Sequence, residues 1–284
     1  MLGNSIINLN KFAIAIVLAA SLMFCSAQQK VPTASVKILI PLYSYPTWYN
    51  PSTYTWSEIA AAASKVPIAA IINPNNGPDG GPPNQDYARG LEDLRQAGVT
   101  ILGYVFTQYG DRPIGEVNQD IALYNDYYNI NGIFLDEAAS SADQLDYYRD
   151  IYEYITTKTN LDLVVLNPGT QIEQGYLARP AADIAVIFED NSQAWIKYQP
   201  QSYLSSYEPG HFASLIHSVP DAATMKSHID RAVARQIGYI YVTDDSPTSP
   251  DRDPWNSLPS YWQEEIDYIQ SLNQRLERSS VSSN

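Results

Sequence analysis

The sequence has one cysteine, Cys25, and three histidines among its 284 residues. A single thiol can form neither a disulfide framework nor a Cys-rich zinc site, so a disulfide-stapled domain and a zinc ribbon are both excluded. Basic residues are scarce as well: 17 Lys and Arg stand against 31 Asp and Glu, a net charge of -14. On such a surface a polyanion meets repulsion in place of counterion release, so nucleic acid and anionic membrane faces are not expected partners. Charged residues are only 17% of the chain and hydrophobic ones 45%, which suits a large buried core and not a disordered chain. No G-x-G-x-x-G or Walker-type loop is present to cradle phosphates. His211, His217 and His228 have no G-x-S-x-G elbow to serve and no H-x-x-x-H or H-E-x-x-H spacing. No metal site and no cofactor are expected.

Tyrosine is abundant, with 22 copies against 5 Trp and 6 Phe. A flat ring carrying a hydroxyl suits polar ligands, and it equally suits anchoring helices to a sheet.

Residues 1–27 differ from the remainder. Lys11 precedes the apolar run Phe12–Phe24, then Cys25, Ser26 and Ala27. That run is short of the roughly 20 residues a membrane-spanning helix needs, and the small residues after it fit cleavage before Gln28. The segment reads as an export signal, so the expected location is secreted or at the cell surface, with no membrane span. Leu22–Cys25 faintly resembles a lipobox, which would lipidate Cys25, but bulky Phe24 stands where a small residue is wanted. Residues 28–35 read as a polar lead-in, 36–278 as one domain and 279–284 as a polar tail.

From Val36 onward short apolar runs alternate with segments of helical spacing, the pattern of βα units. The strands are expected at Val36–Leu42, Pro67–Asn73, Thr100–Phe106, Gly132–Glu137, Leu161–Asn167, Ile184–Glu189, Phe212–His217 and Ile237–Thr243. Helices are expected at Trp56–Lys65, Tyr87–Ala97, Ile114–Tyr127, Ala142–Thr157, Ser192–Ile196, Ala222–Arg235 and Tyr261–Arg278. Eight repeats of this size, undivided by any linker, predict an α/β fold, a single (β/α)8 TIM barrel.

Such barrels carry their reactive groups at the C-terminal ends of the strands. Those ends supply Tyr43, Asn73, Tyr104, Asp136, Glu137, Asn167, Glu189, His217 and Tyr241. Alternation places Ala185, Ile187 and Glu189 toward the axis with Val186 and Phe188 toward the helices, and turns Tyr239, Tyr241 and Thr243 inward. It sets Asp136 and Glu137 on opposite faces without deciding which one reacts, because the strand is ending there. Carboxylates on one rim, with tyrosines and amides nearby, are the equipment for glycoside hydrolysis: one protonates the leaving oxygen while another attacks or activates water. Asp244, Asp245, Asp251 and Asp253 lack the spacing of an EF-hand loop and read as solvated loop acids.

The stretches Ile40–Tyr43 (IPLY), Ile72–Pro78 (INPNNGP), Leu94–Val99 (LRQAGV), Leu102–Val105 (LGYV), Gly132–Ala138 (GIFLDEA), Leu166–Thr170 (LNPGT) and Val186–Glu189 (VIFE) resemble the spherulation-specific family 4 proteins. The resemblance runs from about Val36 to Tyr268. It implies a (β/α)8 barrel of glycoside hydrolase family 135, whose characterised members are endo-acting enzymes on α-1,4-linked N-acetylgalactosamine in galactosaminogalactan. On that resemblance the family's Asp-Glu pair falls on Asp136 and Glu137 and its later essential Glu on Glu189. Tyr43, Asn73, Tyr104, Asn167, His217 and Tyr241 are then expected to bind substrate. The expected partner is a polysaccharide and the expected state a monomer. A glycan-binding wall protein without activity, or a galactosaminidase acting on deacetylated polymer, are the alternative readings.

Overall fold

The computed structural model describes residues 35–281 except Arg179 and Asp251. The expected export signal, the lead-in up to residue 34 and Asp251 lie outside the described residues.

Eight parallel strands close into a barrel in chain order: β1 (Lys37–Leu42), β2 (Ile68–Ile72), β3 (Thr100–Phe106), β4 (Gly132–Asp136), β5 (Leu163–Leu166), β6 (Ile184–Asn191), β7 (Phe212–His217) and β8 (Tyr239–Val242). Around them lie α1 (Thr55–Ala62), α2 (Gln85–Gln96), α3 (Ile114–Tyr127), α4 (Leu145–Lys158), α5 (Gly175–Ala178), α6 (Ser192–Lys197), α7 (Ala222–Ala234) and α8 (Trp262–Val281). The chain is therefore a (β/α)8 barrel. Strands such as Ile68–Ile72 are apolar throughout because both faces are covered, one by the axis and one by helices. Several helices start on side-chain caps. Asn84 accepts from the Tyr87 N–H, Asn191 from those of Gln193 and Ala194, and Asp221 from that of Thr224. Among the described residues no helix is long and apolar enough to cross a membrane.

Strand pairing carries the in-and-out alternation around the barrel. Leu39 pairs with Ala69, Ile71 with Leu102, Tyr104 with Phe134 and Phe134 with Val165. Axial residues including Leu39, Ile71, Leu102, Phe134, Val165 and Leu215 are fully buried, and each contributes roughly 1.5–3 kcal/mol by leaving water.

The expected alternation in β6 fails at Ile187. Val186 pairs with Ala213 but Phe188 with Ser214, a bulge that sets two residues of β6 against one of β7. An extra residue reverses the phase of a period-two strand. Val186 consequently shares the axial face with Ala213 and Tyr239, and Ala185 faces outward. Past the bulge, Phe188 turns to the helices, where its ring centroid is 4.9 Å from Trp195 and 5.1 Å from Tyr198. Glu189 is thereby delivered to the axis beside Leu215.

Helix α3 sits close on β3 because position 103 has no side chain. A Cβ at Gly103 would meet three ring atoms of buried Tyr124 at 2.7–2.8 Å. Gly103→Ala should overpack this contact and cost about 1–3 kcal/mol. The expected fall in Tm is roughly 3–10 °C by circular dichroism, and an unchanged Tm would contradict the tight fit.

Candidate active site

Asp136 is the last residue of β4 and faces the axis. Its carboxylate accepts hydrogen bonds from the Tyr104 hydroxyl, the Glu137 backbone N–H and, at 2.7 Å, the Asn167 amide. Burial pushes its pKa above the ordinary aspartate value, and those donors pull against the shift.

The next residue leaves the strand. Glu137 has φ 48°, a left-handed conformation that glycine, without a Cβ, adopts more easily. The turn is held from below: its carbonyl accepts from the Tyr109 N–H at 2.6 Å and from Thr107 Oγ1 at 2.9 Å. Thr107 is fully buried and its hydroxyl also lies 2.9 Å from that of Tyr148. This turn swings Glu137 into the same cavity as Asp136, so both acids line it despite their strict alternation in sequence.

Asn167 follows β5 and opens an Asn-Pro-Gly turn. The Gly169 N–H donates to Asn167 Oδ1 at 3.0 Å, which fixes which end of the amide is oxygen. Nδ2 then donates one hydrogen to Asp136 Oδ1 and the other to Glu189 Oε2, each at 2.7 Å. Two acceptors on one trigonal NH2 group lie roughly 4–5 Å apart. Gly169 has φ 63° and its carbonyl accepts from the Glu189 N–H at 3.0 Å, tying the turn to β6.

Burial and the charge of Asp136 raise the Glu189 pKa from 4.5 to about 7, against the Asn167 amide and the Trp255 indole N–H that donate to it. The three acids surround a cavity of about 390 Å³, lined also by Tyr109, Asn167, His217 and Trp255.

The remaining expected residues divide. Tyr43 is half-buried, edge-on to Tyr104 at 5.9 Å; burial and the neighbouring Asp136 charge hold its hydroxyl protonated. His217 lines the cavity with its ring 5.9 Å from Trp255; burial lowers its pKa against the pull of the Asp190 charge. Asn73 and Tyr241 are not brought to the cavity. Asn73 Oδ1 accepts from the Gly77 N–H at 2.8 Å and closes its own loop. Tyr241 does face inward, but Trp255 covers it at 6.2 Å and its hydroxyl donates to the Ser257 carbonyl at 3.3 Å. Trp255 and Tyr109 were not expected at the site. Both lie on loops outside any periodic pattern, and the one available signal was an aromatic ring among the prolines after β8. His228 is buried against Ser192 at 2.8 Å, and His211 Nδ1 lies 2.7 Å from the Asp183 carbonyl. Among the described residues no group of three His, Cys, Asp or Glu is placed to hold a metal ion.

The sequence model of the spherulation-specific family 4 matches residues 37–269. Spherulin-4 of Physarum polycephalum is 38% identical over 248 residues, covering 84% of this chain and 71% of that protein. The crystal structure of Aspergillus clavatus Sph3 in complex with GalNAc superposes with a TM-score of 0.70 at 27% identity, over 84% of this chain and 98% of that one. A chitinase from Rhizomucor miehei shares the fold, with a TM-score of 0.51 at 9% identity over 83% and 99% of the two chains.

An acid whose folded pKa is raised binds its proton more tightly in the native state. Its stabilising contribution is complete below about 4.5 and is lost as pH rises through about 7. Glu189→Gln should therefore leave stability at pH 4 nearly unchanged and raise it at pH 8 by roughly 1–3 kcal/mol. Denaturant unfolding at the two pH values checks this, and equal effects at both would contradict the raised pKa.

Proposed function

The chain belongs to the spherulation-specific family 4, and from that premise we propose that it is an endo-acting glycoside hydrolase of an N-acetylgalactosamine-containing exopolysaccharide. The observation that carries this reading is the pair Asp136 and Glu189, bridged by one amide group, with burial and the Asp136 charge raising the Glu189 pKa to about 7. Glu189, protonated up to about pH 7, serves as the acid that protonates the leaving glycosidic oxygen and then as the base that activates water. Asp136, whose charge helps raise the Glu189 pKa, is the carboxylate that attacks or stabilises the anomeric carbon. Glu137, exposed on the same wall, meets a polar substituent of the sugar. The short separation leaves no room for a water between carboxylate and anomeric carbon, so the proposed outcome is retention. His217, Tyr43 and Trp255 shape the sugar pocket. With the export signal read at residues 1–27, the proposed place of action is outside the cell.

Product analysis by mass spectrometry, after incubation with acetylated and deacetylated galactosamine polymers, tests activity and substrate together. Asp136→Asn and Glu189→Gln should each lower kcat by about 10²–10⁴-fold, and variants that cleave as fast as wild type would end this reading. The pH–rate profile should be a bell belonging to the coupled pair, its alkaline limb near pH 7 as the acid is lost. Trp255→Phe removes a donor that favours the Glu189 carboxylate, so its alkaline limb should move to higher pH.

A further inference from the structure

The loop between β1 and α1 carries three aromatic rings that the barrel does not need. Tyr45 is 43% exposed, Trp48 47% and Tyr49 61%, on a chain whose other large rings are mostly buried. Folding gains little from leaving such surface in water, and clustered exposed rings mark interaction sites. The polar ends of Tyr45 and Trp48 are engaged, and the Tyr45 ring meets Tyr87 edge-on at 5.5 Å. The Tyr45 hydroxyl donates to Asp86 Oδ2 at 2.7 Å and the Trp48 indole N–H to Asp86 Oδ1 at 2.8 Å, so both oxygens of one carboxylate orient two rings. Tyr49 meets Trp48 edge-on at 5.9 Å with the planes at 78°. The loop beneath is braced, with Asn50 N–H to the Thr47 carbonyl at 2.8 Å and Thr47 Oγ1 2.8 Å from Thr53 Oγ1. Fixed rings lose little entropy on binding.

The loop that carries the platform starts beside the acids. Tyr43, at the start of the same loop, touches Tyr104, the donor to Asp136. A cleft shared by Tyr43, Ser44, Thr55 and Trp255 joins the loop to the one that covers the site. Chain reach keeps Trp48 within roughly 18 Å of Tyr43, a span that a polymer of a few sugar units covers.

Resting on the hydrolase reading above, we propose that Trp48 and Tyr49, oriented by Asp86, form a distal glycan-binding subsite that stacks pyranose rings of the polymer remote from the bond being cut. Sugar C–H faces pack on the ring faces, while hydroxyls meet the surrounding Asn50, Ser52 and Thr53. A neutral or amino-bearing chain suits a rim on which the nearest fixed charge is Asp86.

Affinity electrophoresis through gels containing galactosaminogalactan, with the inactive Glu189→Gln protein as parent, separates binding from cleavage. Adding Trp48→Ala should weaken retardation by about 10-fold, and adding Asp86→Ala, which keeps the ring but frees it, by about 3-fold. In the active protein Trp48→Ala should raise KM for the polymer by about 10-fold, and leave kcat and cleavage of the shortest oligomer accepted as in wild type. Unchanged Tm excludes a folding defect. If wild type cleaves the polymer while Trp48→Ala is retarded and turns over like its parent, the distal subsite is overturned and the hydrolase stands. If wild type neither cleaves nor is retarded, both are overturned.

Discussion

Two carboxylic acids held a few ångströms apart in a half-buried pocket repel each other when both ionise, and everything around the site is arranged against that repulsion. The Asn167 amide is the central device. Its oxygen is engaged by the Gly169 N–H, so both amide hydrogens are free to donate, one to Asp136 and one to Glu189. Replacing this amide by a carboxylate would add a third charge, and replacing it by an apolar group would take the shared donor from Asp136 Oδ1 and Glu189 Oε2. The turn that holds Asn167 also holds β6 through the Gly169 carbonyl. The geometry of the acids and the backbone of two strands are thus parts of one hydrogen-bonded unit.

Burial raises the pKa of both acids, and the donors around each work against it. Asn167 donates to both; Tyr104 and the Glu137 N–H further favour the Asp136 carboxylate, and Trp255, from a loop that also roofs Tyr241, the Glu189 one. Burial and the Asp136 charge together raise the Glu189 pKa to about 7, which suits that acid to give and take a proton near neutral pH. The raised pKa also costs native stability above neutral pH, the usual direction of trade at functional sites.

The barrel was legible in the sequence because apolar runs and helical stripes alternate from Val36 onward, and parallel strands covered on both faces need that pattern. The rim acids were legible because the fold class nominates strand ends. Three features were not. A bulge at Ile187 leaves no local mark, since Val, Ile and Phe suit either face. The left-handed turn at Glu137 is set by Thr107 and Tyr148, distant in sequence. Trp255 lies where no period exists, and it displaced Tyr241 from the role that inward alternation alone implied. Asn73 looked like a strand-end ligand, yet its short side chain satisfies a backbone N–H four residues on.

The bulge in β6 has a consequence for how this domain tolerates length changes. Loops around a barrel accept insertions and deletions readily, because they alter no strand phase. Between Ile184 and Phe188 the opposite holds. Losing one residue there would restore a regular strand, a simplification the sheet itself would accept, yet it would rotate the acid outward into the helix layer and bring Phe188 or Asp190 to the axis. A more regular barrel would then be a barrel without its second acid, so a length constraint of one residue, invisible in any side chain, is written into the middle of the sheet.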